Sequence, residues 1–223
     1  MRLSILHLII AGIIFVVFLI AAGAEYNQKN TKISELNEKV ATVRVKLNEI
    51  NDIGDKTLLY IRICKGLDVL TKKNLSAKQK EKLAKNLFKI SRDYQIDPIL
   101  ILSVVKVESR GNPQARGAFL SGEESGALGL MQIKFESALE VARSVGVRLN
   151  SPEDLFNPET NLMVGTAYLL RLIAKYQNLQ YALTAYNIGF GDLDNRLKKG
   201  SALPTKYYKS IMTAYSEITN GMF

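Results

Sequence analysis

The stretch DPILILSVVKVESRGNP, residues 97–113, decides the fold, because it encodes a helix that only a protein interior can accommodate. Asp97 followed by Pro98 is typical of an N-cap with proline at the first helical position, and Gly111 is typical of a C-terminal stop. These signals predict a helix of about 11 to 13 residues. Apolar side chains cover nearly its whole circumference, so we expect it to be surrounded by protein.

Glu108 is the exception on this helix, because it follows Val104 by four residues on a row that is otherwise apolar. Its carboxylate also lies in the last turn, where the helix dipole disfavours negative charge. Burial and the dipole both raise the pKa of a carboxyl group, as a general acid working near neutral pH requires. The competing interpretation is structural: a buried glutamate paired with Lys106 or Arg110 would give the same pattern.

The composition limits the chemistry that the chain can perform. Its 223 residues, 47% of them hydrophobic, allow one good-sized domain with additional segments. The single cysteine, Cys64, excludes an intramolecular disulfide, and the single histidine, His7, lies in an apolar run. We therefore expect no cofactor, no metal site with histidine or thiolate ligands, and no Ser-His or Cys-His mechanism. The remaining groups favour acid catalysis on a neutral polymer such as a glycan.

The net charge of +9 is unevenly distributed along the chain. Residues 25–95 carry 16 Lys/Arg against 9 Asp/Glu, whereas residues 96–223 carry 13 against 12. A solvated helical face explains this basic segment better than contact with anionic lipid or an acidic polymer. We expect no nucleic-acid partner.

Residues 3–24 form an apolar run of 22 residues that is long enough to cross a bilayer. Secretory signals usually have a shorter apolar core, of roughly 7 to 15 residues. We favour an uncleaved membrane anchor over residues 1–24, with a signal cleaved after Ala22-Gly23-Ala24 as the alternative. Both predict an exported domain, although the lysines that follow the run favour the opposite orientation.

Residues 25–74 are predicted to be a helical linker that carries a heptad seam over residues 33–50. The seam repeats with the spacing 3-4-3-4-3 and consists of Ile33, Leu36, Val40, Val43, Leu47 and Ile50. Such a seam is typical of a short coiled coil, here a possible homodimer, and equally of an amphipathic helix packed on its own domain. We expect a helix break at residues 51–54, a second helix over 57–70, and a joint at Lys72-Lys73-Asn74.

Residues 75–223 are predicted to form a compact, mainly helical domain. Ser76 and Gln79 form a capping box before an amphipathic helix. A glycine-rich loop follows the Glu108 helix, and the later helix signals include a helix from about residue 135 to 145. Two more helices are expected to begin at Ser151-Pro152 and Asn157-Pro158, and another covers residues 181–187. Alternating β patterns are scarce, so the predicted fold class is mainly α.

Three separated motifs follow one another along the chain: Glu108-Ser109, then GLMQI at residues 129–133, then Ala185-Tyr186-Asn187 followed by Gly189. In this order they resemble the catalytic domain of the soluble-type lytic transglycosylases, which is similar to goose-type lysozyme. The resemblance covers about residues 76 to 208 and implies a lysozyme-like helical domain. The chain departs from the family pattern at residues 119–125, where a longer loop adds Glu123 and Glu124.

The resemblance implies a peptidoglycan-cleaving enzyme with Glu108 as its single catalytic acid and base. Glu108 would protonate the glycosidic oxygen between N-acetylmuramic acid and N-acetylglucosamine, and would then assist attack of the muramic acid C6 hydroxyl on its own C1. The product would carry a 1,6-anhydro end, and no water would be consumed. Tyr186 would orient Glu108 by hydrogen bonding. The sugar subsites would be lined by Ser109, Gly129, Met131, Gln132, Asn187 and Tyr207.

Two other functions stay open. A lysozyme-like hydrolase would need a positioned water and a second carboxylate, for which Glu123, Glu124 and Glu136 are available. A non-catalytic wall-binding scaffold would use the seam over residues 33–50 for oligomerisation. In the favoured interpretation, the enzyme acts on peptidoglycan glycan strands in the bacterial envelope. It would be anchored in the cytoplasmic membrane with its catalytic domain in the periplasm, or secreted to the periplasm if residues 1–24 are cleaved.

Overall fold

The chain divides into two units, residues 1–56 and residues 57–223, in a computed structural model that describes residues 2–71, 74–119 and 121–221. The described residues of the first unit, 2–56, are helical and belong to helix α1, Arg2–Thr71. One part of this helix is long and apolar enough to cross a membrane by its length and composition, with a mean hydropathy of 2.6. The side chains of the predicted heptad seam are exposed.

The predicted break at residues 51–54 is wrong, because α1 continues through them. Gly54 costs only about 1 kcal/mol relative to alanine in a helix interior, and helix propagation is cooperative. An ion pair between Lys56 and Asp52 supports the same turn. Of the predicted joint, Lys72 and Lys73 lie outside the described residues, and the Asn74 amide closes a turn onto the Thr71 carbonyl at 2.7 Å.

The second unit consists mainly of helices, three of which begin at the predicted caps Ser76, Asp97 and Asn157. Ser76 and Gln79 form the capping box, and the Asp97 carboxylate accepts a hydrogen bond from the Ile99 amide at 2.8 Å. The helices are α2 (Ala77–Asp93), α3 (Pro98–Ser109), α4 (Phe135–Ala142), α5 (Pro158–Tyr176), α6 (Leu179–Ile188), α7 (Phe190–Lys198) and α8 (Lys206–Asn220). Two short 3-10 segments, Arg143–Val145 and Pro152–Phe156, precede α5. The mainly helical fold class is therefore confirmed.

A small antiparallel sheet occupies the region where a glycine-rich loop was predicted. Its three strands lie in the order β1 (Arg116–Ala118), β2 (Glu124–Leu128) and β3 (Ile133–Lys134). Strands of two to five residues are too short for a period of two to be recognised in the sequence. The longer loop at residues 119–125 includes the tip of the β1–β2 hairpin, where the Phe119 amide donates to the Glu123 carbonyl at 2.8 Å.

The buried core surrounds α3, nine of whose residues are buried. Helices α2, α5 and α8 pack on it, and a second apolar cluster joins α4, α5 and α6 beside the sheet. Ile63, Leu67 and Leu70, near the end of α1, also belong to the first cluster. The compact unit therefore begins at Thr57, before the boundary expected at residue 75, because this apolar stripe is buried with the core.

Candidate active site

A cleft of about 710 Å³ opens beside Glu108 at the end of the buried helix α3. The sheet forms one side of the cleft, and residues at the C-terminus of α6 form another. Of the residues predicted for the site, Gln132, Tyr186 and Asn187 line the cleft together with Glu108. Residues from all three motifs thus meet at one surface.

Glu108 is partly buried, and burial raises the pKa of its carboxyl group to about 7. A hydrogen bond donated by the Tyr207 hydroxyl to Glu108 Oε1 acts in the opposite direction and lowers this pKa. Removal of a carboxylate from water disfavours its charged form more than this one hydrogen bond stabilises it. The carboxyl group can therefore hold a proton near neutral pH.

The interpretation of Glu108 as half of an ion pair is wrong for the described residues. Lys106 Nζ binds Glu217 Oε2 at 2.5 Å, and Arg110 is exposed with no ion pair to Glu108. Residues two apart on a helix point to different sides, so neither neighbour reaches the carboxylate easily. The raised pKa of Glu108 is thus not offset by an adjacent cation.

Tyr186 and Tyr207 make hydrogen bonds that differ from the roles predicted for them. Tyr186 was expected to bond to Glu108, but its hydroxyl donates to the Met131 carbonyl at 2.9 Å. A phenol has a single proton, so Tyr186 has none left to donate to Glu108. The hydroxyl of Tyr207, on α8, donates to Glu108 instead. Burial raises the pKa of both hydroxyls well above their ordinary value of 10.0, so both remain donors at neutral pH.

The backbone segment that precedes Gln132 is held by Asn161, a fully buried residue on α5. Its amide nitrogen donates to the carbonyls of Leu128 and Leu155, both at 2.8 Å, and its Oδ1 accepts from the Met131 amide at 2.8 Å. Asn161 fixes the backbone on both sides of Gly129. No spacing signal in the sequence predicts this set of bonds.

Gly129 was expected to line a sugar subsite, but it lies against other residues of the protein. A Cβ atom at this position would lie 2.3 Å from Asn161 Nδ2 and 2.4 Å from the Leu155 carbonyl oxygen. Its φ of +75° also favours glycine. Glycine is therefore required here by the contact with Asn161.

Ser109 and Met131 support the site from beneath and do not line the cleft, contrary to expectation. Ser109 is buried, and its hydroxyl donates to the Leu130 carbonyl at 2.7 Å. Its place next to Glu108 on the helix turns it about 100° away from the carboxylate. The Met131 side chain is fully buried against Gly165. Met131 therefore contacts Asn161 and Tyr186 through its backbone amide and carbonyl.

Gln132 spans the sheet side of the cleft with a backbone φ of +49°. Its Nε2 donates to the carbonyls of Ala115 at 3.0 Å and Gly129 at 2.9 Å. These two bonds leave Oε1 as an acceptor at the cleft surface. Asn187 is exposed near the end of α6, where its amide group is open to solvent.

Glu108 is the only acid among the described residues that line the cleft. Glu124 contacts Arg116 at 3.7 Å, while Glu123 and Glu136 are exposed outside the cleft lining. Within residues 2–71, 74–119 and 121–221, no group of three or more His, Cys, Asp or Glu side chains is arranged to hold a metal ion. Among the described residues, the cleft therefore offers one carboxyl group with aromatic and amide neighbours.

Residues 85–209, more than half of the chain, match the family described as the Transglycosylase SLT domain. The chain belongs to this family. Membership confirms the resemblance seen in the three motifs. The match begins within α2 and ends within α8, so it includes Glu108 and all the residues predicted for the site.

Relatives of this SLT domain carry related names. Membrane-bound lytic murein transglycosylase E of Buchnera aphidicola is 42% identical over 89 residues, 39% of this chain and 38% of the relative. The same-named protein of the Baizongia pistaciae strain is 36% identical over 121 residues, 51% of this chain and 53% of the relative. Endo-type membrane-bound lytic murein transglycosylase A of Salmonella paratyphi B is 39% identical over 108 residues, covering 44% and 50%. The SLT domain chain thus matches only about half or less of each relative.

A solved structure shares the fold of the SLT domain. The 70 kDa soluble lytic transglycosylase of Escherichia coli superposes with a TM-score of 0.53 at 23% sequence identity. The superposition covers 62% of this chain and 24% of the other. At this identity the likeness establishes the fold alone.

Proposed function

We propose that the chain is a peptidoglycan lytic transglycosylase, which cleaves the β-1,4 bond between N-acetylmuramic acid and N-acetylglucosamine and leaves a 1,6-anhydromuramic acid end. The observation that carries this proposal is the single carboxyl group in the cleft, whose pKa is about 7. The SLT family and the names of the relatives support the same activity. The substrate class follows from those relatives, which are named for murein.

In the first step, protonated Glu108 gives its proton to the glycosidic oxygen while the bond from that oxygen to C1 breaks. A pKa of about 7 leaves roughly half of the carboxyl groups protonated at neutral pH. Tyr207 donates to Oε1, so the proton for the leaving group is carried by Oε2. The neighbouring acetamido group of the substrate can stabilise the positive charge at C1.

In the second step, the Glu108 carboxylate accepts the proton of the muramic acid C6 hydroxyl as that oxygen forms a bond to C1. Glu108 returns to its protonated state, and the proton balance closes without water. The two functions are separated in time, so one carboxyl group serves both. Ordinary glycosidases use a second carboxylate about 5 to 9.5 Å from the first, which this mechanism does not require.

A hydrolase on the same fold is disfavoured by the absence of that second acid among the described cleft residues. The three candidates, Glu123, Glu124 and Glu136, do not line the cleft. No second carboxylate is thus available in the cleft to activate water while Glu108 acts as the acid. The wall-binding scaffold gives no account of a carboxyl group whose pKa is raised to about 7 inside a cleft.

The remaining site residues are assigned to binding and support. Gln132 and Asn187 would contact sugar hydroxyl and acetamido groups through their amides, and Tyr186 would present its ring to a sugar face. Tyr186 also fixes the Met131 carbonyl. Tyr207 orients Glu108 through its hydrogen bond, which also lowers the pKa that burial raises.

We assign residues 3–24 as an anchor in the cytoplasmic membrane, with the enzyme domain on the periplasmic side. The apolar length of α1 and the word "membrane-bound" in the names of the relatives support this assignment. Residues 25–56 would serve as a helical linker, and residues 57–223 would form the enzyme domain.

The test is to digest purified peptidoglycan with the full chain in detergent and to measure the released sugars by mass spectrometry, with Glu108→Gln as the control. Anhydro ends, lighter than reducing ends by one water, are expected from the unchanged chain only. Reducing ends would make the protein a hydrolase. The scaffold would be favoured by a third result: the folded, unchanged chain releases no sugars, yet it binds peptidoglycan as well as Glu108→Gln does.

A further inference from the structure

The first unit, residues 1–56, carries an exposed apolar seam with heptad spacing. Each member is 50 to 63% exposed. The seam consists of Ile33, Leu36, Val40, Val43, Leu47 and Ile50. These residues occupy alternating a and d positions along about 27 Å of continuous helix, the arrangement that a partner helix covers in a coiled coil.

The two edges of the seam carry no acidic residue. One edge, the g positions, has a lysine in three successive heptads, and the other, the e positions, has an arginine between two asparagines. In order, the g residues are Lys32, Lys39 and Lys46, and the e residues are Asn37, Arg44 and Asn51. The acids of this stretch lie at c and f positions on the outer face: Glu35, Glu38, Glu49 and Asp52.

Most of the edge cations have no ion pair within the helix. Lys39 Nζ contacts Glu35 Oε1 at 2.5 Å, one turn earlier. Within the described residues, Lys32, Arg44 and Lys46 take part in no ion pair. Arg44 has no acid three or four residues away on either side, so its own helix offers no partner.

A second copy of the chain fits this seam poorly. In a parallel pair, a g residue faces the e residue of the next heptad, so Lys39 would oppose Arg44 of the other copy. In an antiparallel pair, like edges meet, and lysines would oppose lysines. Like charges in this arrangement disfavour association and select against the wrong partner.

An anionic lipid surface also fits poorly. Because α1 is continuous, Lys46 lies roughly 33 Å along the axis from residue 24, where the proposed span ends. The Debye length is about 8 Å at physiological ionic strength, so headgroup charge does not reach the distal cations of an upright helix. The basic edges extend along the helix as far as the apolar seam does. We therefore expect one partner to contact both the seam and its edges.

We propose that residues 32–51 dock an α-helix of another protein that is apolar at its a and d positions and acidic at its e and g positions. The carboxylates of this partner would pair with both basic edges while its apolar residues cover the seam. This proposal is independent of the catalytic one, since none of its residues belongs to the cleft. Such docking would place the lytic activity where the partner resides.

The test uses the full chain in uncharged detergent micelles and two labelled synthetic helical peptides with the same Ile/Leu seam. One peptide has glutamate at every e and g position, and the other has lysine. Fluorescence anisotropy should show binding of the acidic peptide only, with an affinity that falls roughly tenfold or more as salt rises from about 0.05 to about 0.5 M. Binding of both peptides, or of neither, would overturn the proposal.

A charge-reversal variant with Lys39→Glu, Arg44→Glu and Lys46→Glu should exchange the preference, so that the basic peptide binds and the acidic one does not. The matched control, Glu38→Lys with Glu49→Lys, alters the outer face and should keep the preference for the acidic peptide. An unchanged preference in the charge-reversal variant would contradict the proposed pairing. Sugar release from peptidoglycan by this variant should equal that of the unchanged chain.

Two further outcomes would assign the seam to other occupants. The variant Val43→Cys with Cys64→Ser has its one thiol at a d position. If this variant forms disulfide-linked dimers in the absence of peptide, the seam is covered by a second copy of the chain. The edges would be assigned to lipid if the unchanged chain bound phosphatidylglycerol vesicles and neither peptide, and if the charge-reversal variant lost the binding to vesicles. Either result would overturn the proposal.

Discussion

Glu108→Gln should make the protein more stable at alkaline pH, and the gain should vanish in acid. The variant keeps the shape of the side chain and removes its ionisation. In the unchanged protein, folding moves the pKa of Glu108 from its ordinary value of 4.5 to about 7. A pKa unit corresponds to about 1.36 kcal/mol, so the difference amounts to about 3 kcal/mol.

The sign of the effect follows from proton binding. Below pH 4.5, Glu108 is protonated in both the folded and the unfolded chain, and it adds no pH dependence. Between pH 4.5 and about 7, the folded state keeps a proton that the unfolded state releases, so the free energy of unfolding falls as pH rises. Above this range the loss is complete. Glutamine does not titrate, and its variant escapes the loss.

The assay is urea unfolding of residues 57–223, which contain the whole buried core, at pH 4 and at pH 8.5. The chain has no tryptophan but ten tyrosines, so near-ultraviolet circular dichroism reports the tertiary structure. Relative to the unchanged fragment, Glu108→Gln should gain about 3 kcal/mol more at pH 8.5 than at pH 4, or roughly 6 to 12 °C in melting temperature. Glu123→Gln, at an exposed hairpin residue, serves as the control.

An equal effect of Glu108→Gln at both pH values would refute the reasoning. It would mean that the carboxyl group is solvated in the folded protein and is not prepared to act as an acid.

Three further predictions concern the site. Sugar release should fall above pH 7, approaching tenfold per pH unit, because only protonated Glu108 starts the reaction; initial rates across pH 5 to 9 would show a flat profile if another group were the acid. Tyr207→Phe removes the hydrogen bond that lowers the pKa of Glu108, so the alkaline limb of kcat/KM should move to higher pH, and an unmoved limb would contradict that role. Asn161→Ala should lower the free energy of unfolding by about 3 kcal/mol or more, because the Met131 amide and the carbonyls of Leu128 and Leu155 lose their bonds to Asn161. Urea unfolding at pH 7 measures the loss, and a loss below about 1 kcal/mol would disprove this prediction.

The features that the sequence predicts correctly are those encoded by neighbouring residues. Asp97 and Pro98 set the start of α3, and the apolar residues after them require burial, so the raised pKa of Glu108 follows from local pattern alone. The capping box at Ser76 is equally local. Each of these signals acts within one or two helical turns, where spacing determines which groups meet.

The features that the sequence does not predict depend on distant contacts or on small energies. Tyr207 meets Glu108 across 99 residues, and no spacing rule connects them. Gly129 is required because Asn161 lies against it, which becomes evident only when α5 and the loop are packed together. The sheet has strands too short for a recognisable period, and the continuity of α1 at Gly54 depends on a penalty of about 1 kcal/mol that a long helix tolerates.

The central claim is that Glu108 cleaves peptidoglycan by internal attack of the C6 hydroxyl, and digestion in water enriched in oxygen-18 tests it most directly. The full chain would digest purified peptidoglycan in this solvent, and the new muramic acid ends would be analysed by mass spectrometry. Internal attack predicts anhydro ends that contain no oxygen-18 from the cleavage, and no new ends with Glu108→Gln. Reducing ends that carry one oxygen-18 atom would contradict it, because water would then be the nucleophile.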